Sequence, residues 1–104
     1  PLFLWEPGPP EGHEVLDRSR CGFLAFQKAW QGFAHTEILS PQGDLVEAAA
    51  NFFSLLRKLD KMGLSAILAE PVPEEGLGIA IMDRLRRASS GRARLDETKV
   101  WIVR

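Results

Sequence analysis

The feature that most limits the fold is the stretch Asp44–Ala88, where helix pattern, apolar run and helix pattern follow one another. Asp44 stands where its carboxylate caps a following amide, and Glu47 three residues later has capping-box spacing. Leu45, Ala48, Ala49, Phe52, Leu55, Leu56 and Leu59 then recur at helical period. Arg57, Lys58 and Lys61 load the end of that helix with positive charge, and Gly63 stops it. "SAILAE" (Ser65–Glu70) is a continuous apolar run, the pattern of a strand covered on both faces. Pro71 and Pro73 end it, and a second helix is predicted from Gly76 to Ala88 with Leu77, Ile81, Leu85 and Ala88 on one face.

The remaining segments fit around that unit. Leu2–Trp5 reads as a strand closed by Pro7–Pro10. Glu11–Arg18 predicts one or two helical turns, Cys21–Phe26 a buried strand and Ala34–Ser40 another strand. Ser89–Arg94 reads as a turn before a last strand over Lys99–Arg104. Strand–helix alternation of this kind predicts one α/β domain over residues 1–104, its sheet mostly parallel and of about five strands, with helices on its faces. The link between the second and third strands is short for a crossover helix, so that pair is either antiparallel or joined by a single helical turn.

Composition narrows the function classes. A net charge of −1 gives no global attraction to nucleic acid or membrane. No segment is apolar for long enough to span a bilayer. The single cysteine, Cys21, excludes an internal disulfide, reads as a buried thiol and fits a reducing cytoplasm. Pro1 stands in place of Met, from removal of an initiator or because the chain is cut from a longer one.

Each candidate motif has a plain structural reading beside the functional one. Gly76-Leu77-Gly78 follows a strand and opens a helix, a position that can offer amides to a phosphate. The third glycine of a dinucleotide fingerprint and the Gly-Lys-Ser/Thr of a P-loop are both missing. Glu74 and Glu75 would repel an anion there, so a close-packed helix entry is favoured. Arg84, Arg86, Arg87, Arg92 and Arg94 form a local basic cluster, but no interleaved aromatics offer base stacking, and a solvated face is favoured over RNA binding. Asp83 and Asp60 read as ion-pair partners for arginines. His13 and His35 lack neighbours at metal-ligand spacing. Trp30 and Phe33 flank a polar link and mark a docking or subunit surface if exposed.

"SPQGDLVEAAANFFSLLRKLDKMG" followed by "SAILAEPVPEEGLGIAIMDRLRRAS" resembles the C-terminal domain of two-domain threonylcarbamoyl-AMP synthases. The matching positions run from Gly43-Asp44 through Asn51, Phe53, Arg57, Asp60, Glu70 and Gly76-Leu77-Gly78 to Asp83-Arg84-Leu85 and Ala88. The resemblance implies a Rossmann-like α/β accessory unit that gates or supports a separate catalytic domain. That catalytic domain makes threonylcarbamoyl-adenylate for a tRNA adenosine modification. Its Lys-x-Arg and Ser-x-Asn signatures do not occur in this chain, so no catalytic residue carries over.

The expectation is therefore a non-catalytic domain docking on or regulating a synthase catalytic domain. Its surface is expected around Asn51, Arg57, Glu70, Gly76, Gly78, Asp83 and Arg84, where strand ends meet helix starts. The alternatives are a small nucleotide- or anion-binding module working through the Gly76–Gly78 turn, and a structural domain that forms homo-oligomers through Trp30 and Phe33. The residues specify no cofactor.

Overall fold

In the computed structural model, which describes Pro1–Arg104, the chain runs β1 (Leu2–Trp5), β2 (Glu14–Asp17), a 3-10 turn (Arg18–Arg20), β3 (Cys21–Ala25), β4 (His35–Ile38), α1 (Leu45–Asp60), β5 (Ala66–Ala69), α2 (Leu77–Ala88), β6 (Ser89–Leu95) and β7 (Lys99–Val103). The strands form a single curled mixed sheet in the order β2-β7-β6-β1-β5-β3-β4. Five of them, β6-β1-β5-β3-β4, are mutually parallel, and β7 and β2 extend the sheet antiparallel.

The α/β class is as expected, but the sheet has seven strands, not five, and it is mixed. Two segments account for the difference. Glu11–Arg18 does not form helical turns: Glu14–Asp17 pairs with β7 as an edge strand. A run this short gains too few helical hydrogen bonds to offset nucleation, whereas pairing supplies a ready ladder. Ion pairs Lys99–Asp17 and Arg104–Glu14 then bridge β2 and the β7 end. Ser89–Arg94 is not a turn but most of β6, between β1 and β7. Its "SGRARL" alternates, with Ala93 buried and Arg92 and Arg94 on the opposite side beside Glu6.

Both helices lie on one face, which corrects the expectation of helices on both. Leu2, Leu24, Ile67 and Ala69 from the strands meet Ala48, Phe52 and Leu59 of α1 and Ile81, Met82 and Leu85 of α2. The other face carries Phe3, Cys21, Phe23, Leu68, Ala93, Val100 and Ile102. It is closed by the sheet's own curl and by the irregular link between β3 and β4, whose Trp30 and Phe33 pack onto it.

Right-handed crossovers explain this division. From β4 to β5 and from β5 to β6 the chain steps across the sheet in one direction, so α1 and α2 share a face. From β3 to β4 it steps the other way, so that connection falls on the opposite face. The β3–β4 pair is parallel. The link is neither a hairpin nor a helical turn but an irregular loop, long enough because β4 lies directly beside β3.

Candidate functional site

The carboxyl ends of the parallel strands meet the amino ends of the helices along one edge, where Asn51, Glu70, Gly76 and Gly78 lie. Here the polar groups are already engaged. The Glu70 carboxylate accepts from the Phe26 amide at 2.7 Å and so caps the end of β3. The Asn51 side-chain amide donates to the Leu39 carbonyl at 3.0 Å, tying α1 to the end of β4. Asp44 caps α1 by accepting from the Val46 amide at 2.9 Å. The second arm of a capping box is not made by Glu47. The Asp44 amide donates instead to the hydroxyl of the buried Ser40 at 2.8 Å.

The Gly-Leu-Gly turn is also used internally. Gly76 has φ +53° and ψ −131°, a conformation that side chains disfavour. A Cβ at Gly78 would stand 1.8 Å from the Pro73 carbonyl oxygen, so the turn backs directly onto the preceding loop. The Gly78 amide donates to the Glu75 carbonyl at 2.9 Å and the Ile79 amide to that of Gly76 at 3.2 Å. Two of the amides that a phosphate would need are thus taken. The Glu74 carboxylate above them pairs with Arg86.

Arg57, Asp83 and Arg84 lie away from that edge, along the helices. Asp83 pairs with Arg87 of its own helix at 3.2 Å and does not lock two elements together. Arg57 is exposed on α1. Arg84 places its guanidinium 5.1 Å from the ring centroid of Phe53 on α1. The expected surface is therefore not one place: Asn51, Glu70, Gly76 and Gly78 lie at the strand-end edge, Arg84 borders a helix–helix groove, and Arg57 and Asp83 line neither. Phe53, half exposed at 50%, is the groove residue that periodicity misses. Its signal is that it falls one position beside Phe52 of the buried stripe Ala48–Phe52–Leu59. The groove runs between α1 and α2 as two adjoining hollows of about 300 and 160 Å³, both bordered by Phe52, Phe53 and Arg84.

The rest of the arginine cluster is engaged in ion pairs within the chain, Arg92 with Glu6 at 3.3 Å and Arg94 with Glu11 at 2.9 Å and the same Glu6 at 4.0 Å. Trp30 and Phe33 are half-buried rather than displayed. Phe33 stacks on Phe23 at 4.9 Å, and Trp30 meets Trp5 edge-on at 5.0 Å. The buried Arg18 lies over both rings, donates to the Gln31 and Asp96 carbonyls and so fastens the β3–β4 link to the β6–β7 turn. Burial pushes the Cys21 thiol up from its ordinary value, which disfavours the reactive thiolate. No three His, Cys, Asp or Glu side chains come together in a metal-binding group. No helix is long and apolar enough to cross a membrane.

These elements define a two-layer α/β domain, a curled mixed sheet with both helices packed on one face and a glycine turn leading into α2. Residues 4–90 match the family described as threonylcarbamoyl-AMP synthase, C-terminal domain, and the chain belongs to that family. A Pyrococcus abyssi threonylcarbamoyl-AMP synthase is 55% identical over 51 residues, covering 48% of this chain and 15% of that protein. The Bacillus subtilis synthase is 39% identical over 51 residues, 49% of this chain and 15% of that protein. The Schizosaccharomyces pombe synthase is 48% identical over 44 residues, 42% of this chain and 11% of that protein. Among solved structures, a variant of P. abyssi Sua5 superposes with a TM-score of 0.62 at 35% identity, over 74% of this chain and 23% of that one. The chain thus matches less than a quarter of the length of each of these relatives.

Proposed function

We propose that the chain is a non-catalytic accessory domain that docks on a threonylcarbamoyl-AMP synthase catalytic domain and supports tRNA threonylcarbamoyladenosine synthesis. The observation that carries this reading is the family match over residues 4–90, which falls on the C-terminal domain of the synthases. The side chains agree with a supporting role. Glu70, Asn51 and Ser40 at the strand ends, where an α/β enzyme would assemble its site, hold the backbone. The reaction itself belongs to the partner, in a reducing cytoplasm.

The test is co-purification. A tagged form of this chain, mixed at micromolar concentration with the catalytic domain of the P. abyssi synthase, is expected to retain it on the affinity resin. Absence of a complex at that concentration contradicts docking.

A further inference from the structure

We infer that the α1–α2 groove is a protein-docking surface whose occupant is a segment of the partner carrying an apolar side chain for Phe53 and a carboxylate for Arg84. The inference rests on the docking reading above and specifies its surface.

Four observations point to this face. Val46, Phe53 and Leu77 are 65%, 50% and 46% exposed, and they are half of the large apolar side chains this chain leaves in solvent. Ala49 and Phe53 of α1 and Ala80 and Arg84 of α2 border one trough, and Val46 and Leu77 stand three residues before Ala49 and Ala80, on the neighbouring turn of each helix. The trough has an apolar floor from Phe52 and Leu56 and a rim of Arg84 and Arg87. The charges decide the occupant. Arg86, Arg87, Arg92, Arg94 and Arg104 each have a carboxylate partner within the chain. Arg84, like the exposed Arg20 and Arg57, has none, and of these three it alone borders the trough, resting on the Phe53 ring.

An exposed guanidinium beside a half-exposed phenyl ring suits a carboxylate next to an apolar anchor. A second copy of this chain suits it poorly, because a two-fold axis through the groove would set Arg84 against Arg84. A negatively charged polymer with no apolar anchor would leave Phe53, Val46 and Leu77 exposed to water.

The experiment is calorimetric titration of this chain into the P. abyssi catalytic domain, with sedimentation of each variant alone. Phe53→Ser and Arg84→Glu are each expected to weaken the complex by about tenfold or more. Arg84→Lys is expected to recover part of the loss, and added salt to weaken the wild-type complex. Val15→Ser, on β2 at the far sheet edge, is expected to bind as wild type. Circular dichroism on each variant checks that these exposed substitutions leave the fold intact. Wild-type affinity in both groove variants overturns this surface while docking stands. Failure of the wild-type chain to bind overturns both. A wild-type dimer that Phe53→Ser dissociates assigns the groove to a second copy and overturns the inference.

Discussion

At the scale of single residues, the Gly-Leu-Gly turn shows how one motif can hold two unrelated requirements. Gly76 supplies a dihedral pair that L-residues disfavour, and Gly78 allows α2 to start against the Pro73 carbonyl. Both needs are local and steric, and neither involves a ligand. Gly78→Ala must move either the Pro73–Gly76 loop or the first turn of α2. The expected cost is about 1–3 kcal/mol of folding stability, read as a lower urea midpoint. Unchanged stability would contradict the close approach. The spacing was legible in the sequence, and so was the argument that Glu74 and Glu75 oppose an anion. The Pro73 contact was not, because it depends on how the β5–α2 loop folds back. Phe53 was hidden for a related reason. An out-of-phase aromatic can be a stray surface residue or one wall of a groove, and only the position of α2 decides between them.

At the scale of elements, carboxylates hold two weak places in the sheet. Asp96 accepts from the Thr98 amide at 3.0 Å, the Lys99 amide at 2.7 Å and the Trp101 indole at 2.8 Å, which closes the β6–β7 turn. The Thr98 amide and the Trp101 indole, then the Lys99 amide, hold its carboxyl below the ordinary aspartate value. Glu37 on the edge strand β4 bonds His35 and lies 3.2 Å from Lys58 of α1. Burial alone would raise its carboxyl, but the His35 and Lys58 contacts outweigh that and lower it. Both folded-state values are depressed, so each group adds stability above the ordinary carboxyl values of 3.8 and 4.5 and loses it as pH falls through the folded value. The melting temperature should therefore drop on acidification below about pH 4.5. Asp96→Asn and Glu37→Gln should each flatten that limb in a pH series of thermal melts. An acid limb identical to wild type in both variants would remove these carboxylates from the account.

The elements also divide by what made them readable. The helix α1 and the strand β5 carry their signal in their own residues: a cap, a period, a continuous apolar run. The strands β2 and β6 do not. "EVLD" and "SSGRARL" lack β-branched density and become strands because β7 and β1 offer them ladders. Arginines on the side of β6 opposite Ala93 made the segment look like a turn, since its alternation makes sense only once Ala93 is known to be buried and the arginines to pair with carboxylates.

At the scale of the whole molecule, the direction in which each connection crosses the sheet sorts its contents. Both helices fall on one face, and the aromatic β3–β4 link falls on the other. Trp30 and Phe33 then cover the sheet together with Trp5 and Phe23, and the helical layer remains the face with an unfilled trough. The seven residues expected to form one surface do not lie together. The strand ends are occupied by their own hydrogen bonds, and the groove is open. The proposed docking places the partner against this open helical face.

Hydroxyl-radical footprinting of the chain, free and mixed with the synthase catalytic domain, tests that claim most directly. The half-exposed Phe53 ring should be oxidised in the free chain and protected in the complex, while Val15 on β2 is labelled equally in both. Equal labelling of Phe53 with and without the catalytic domain would contradict docking through the helical face.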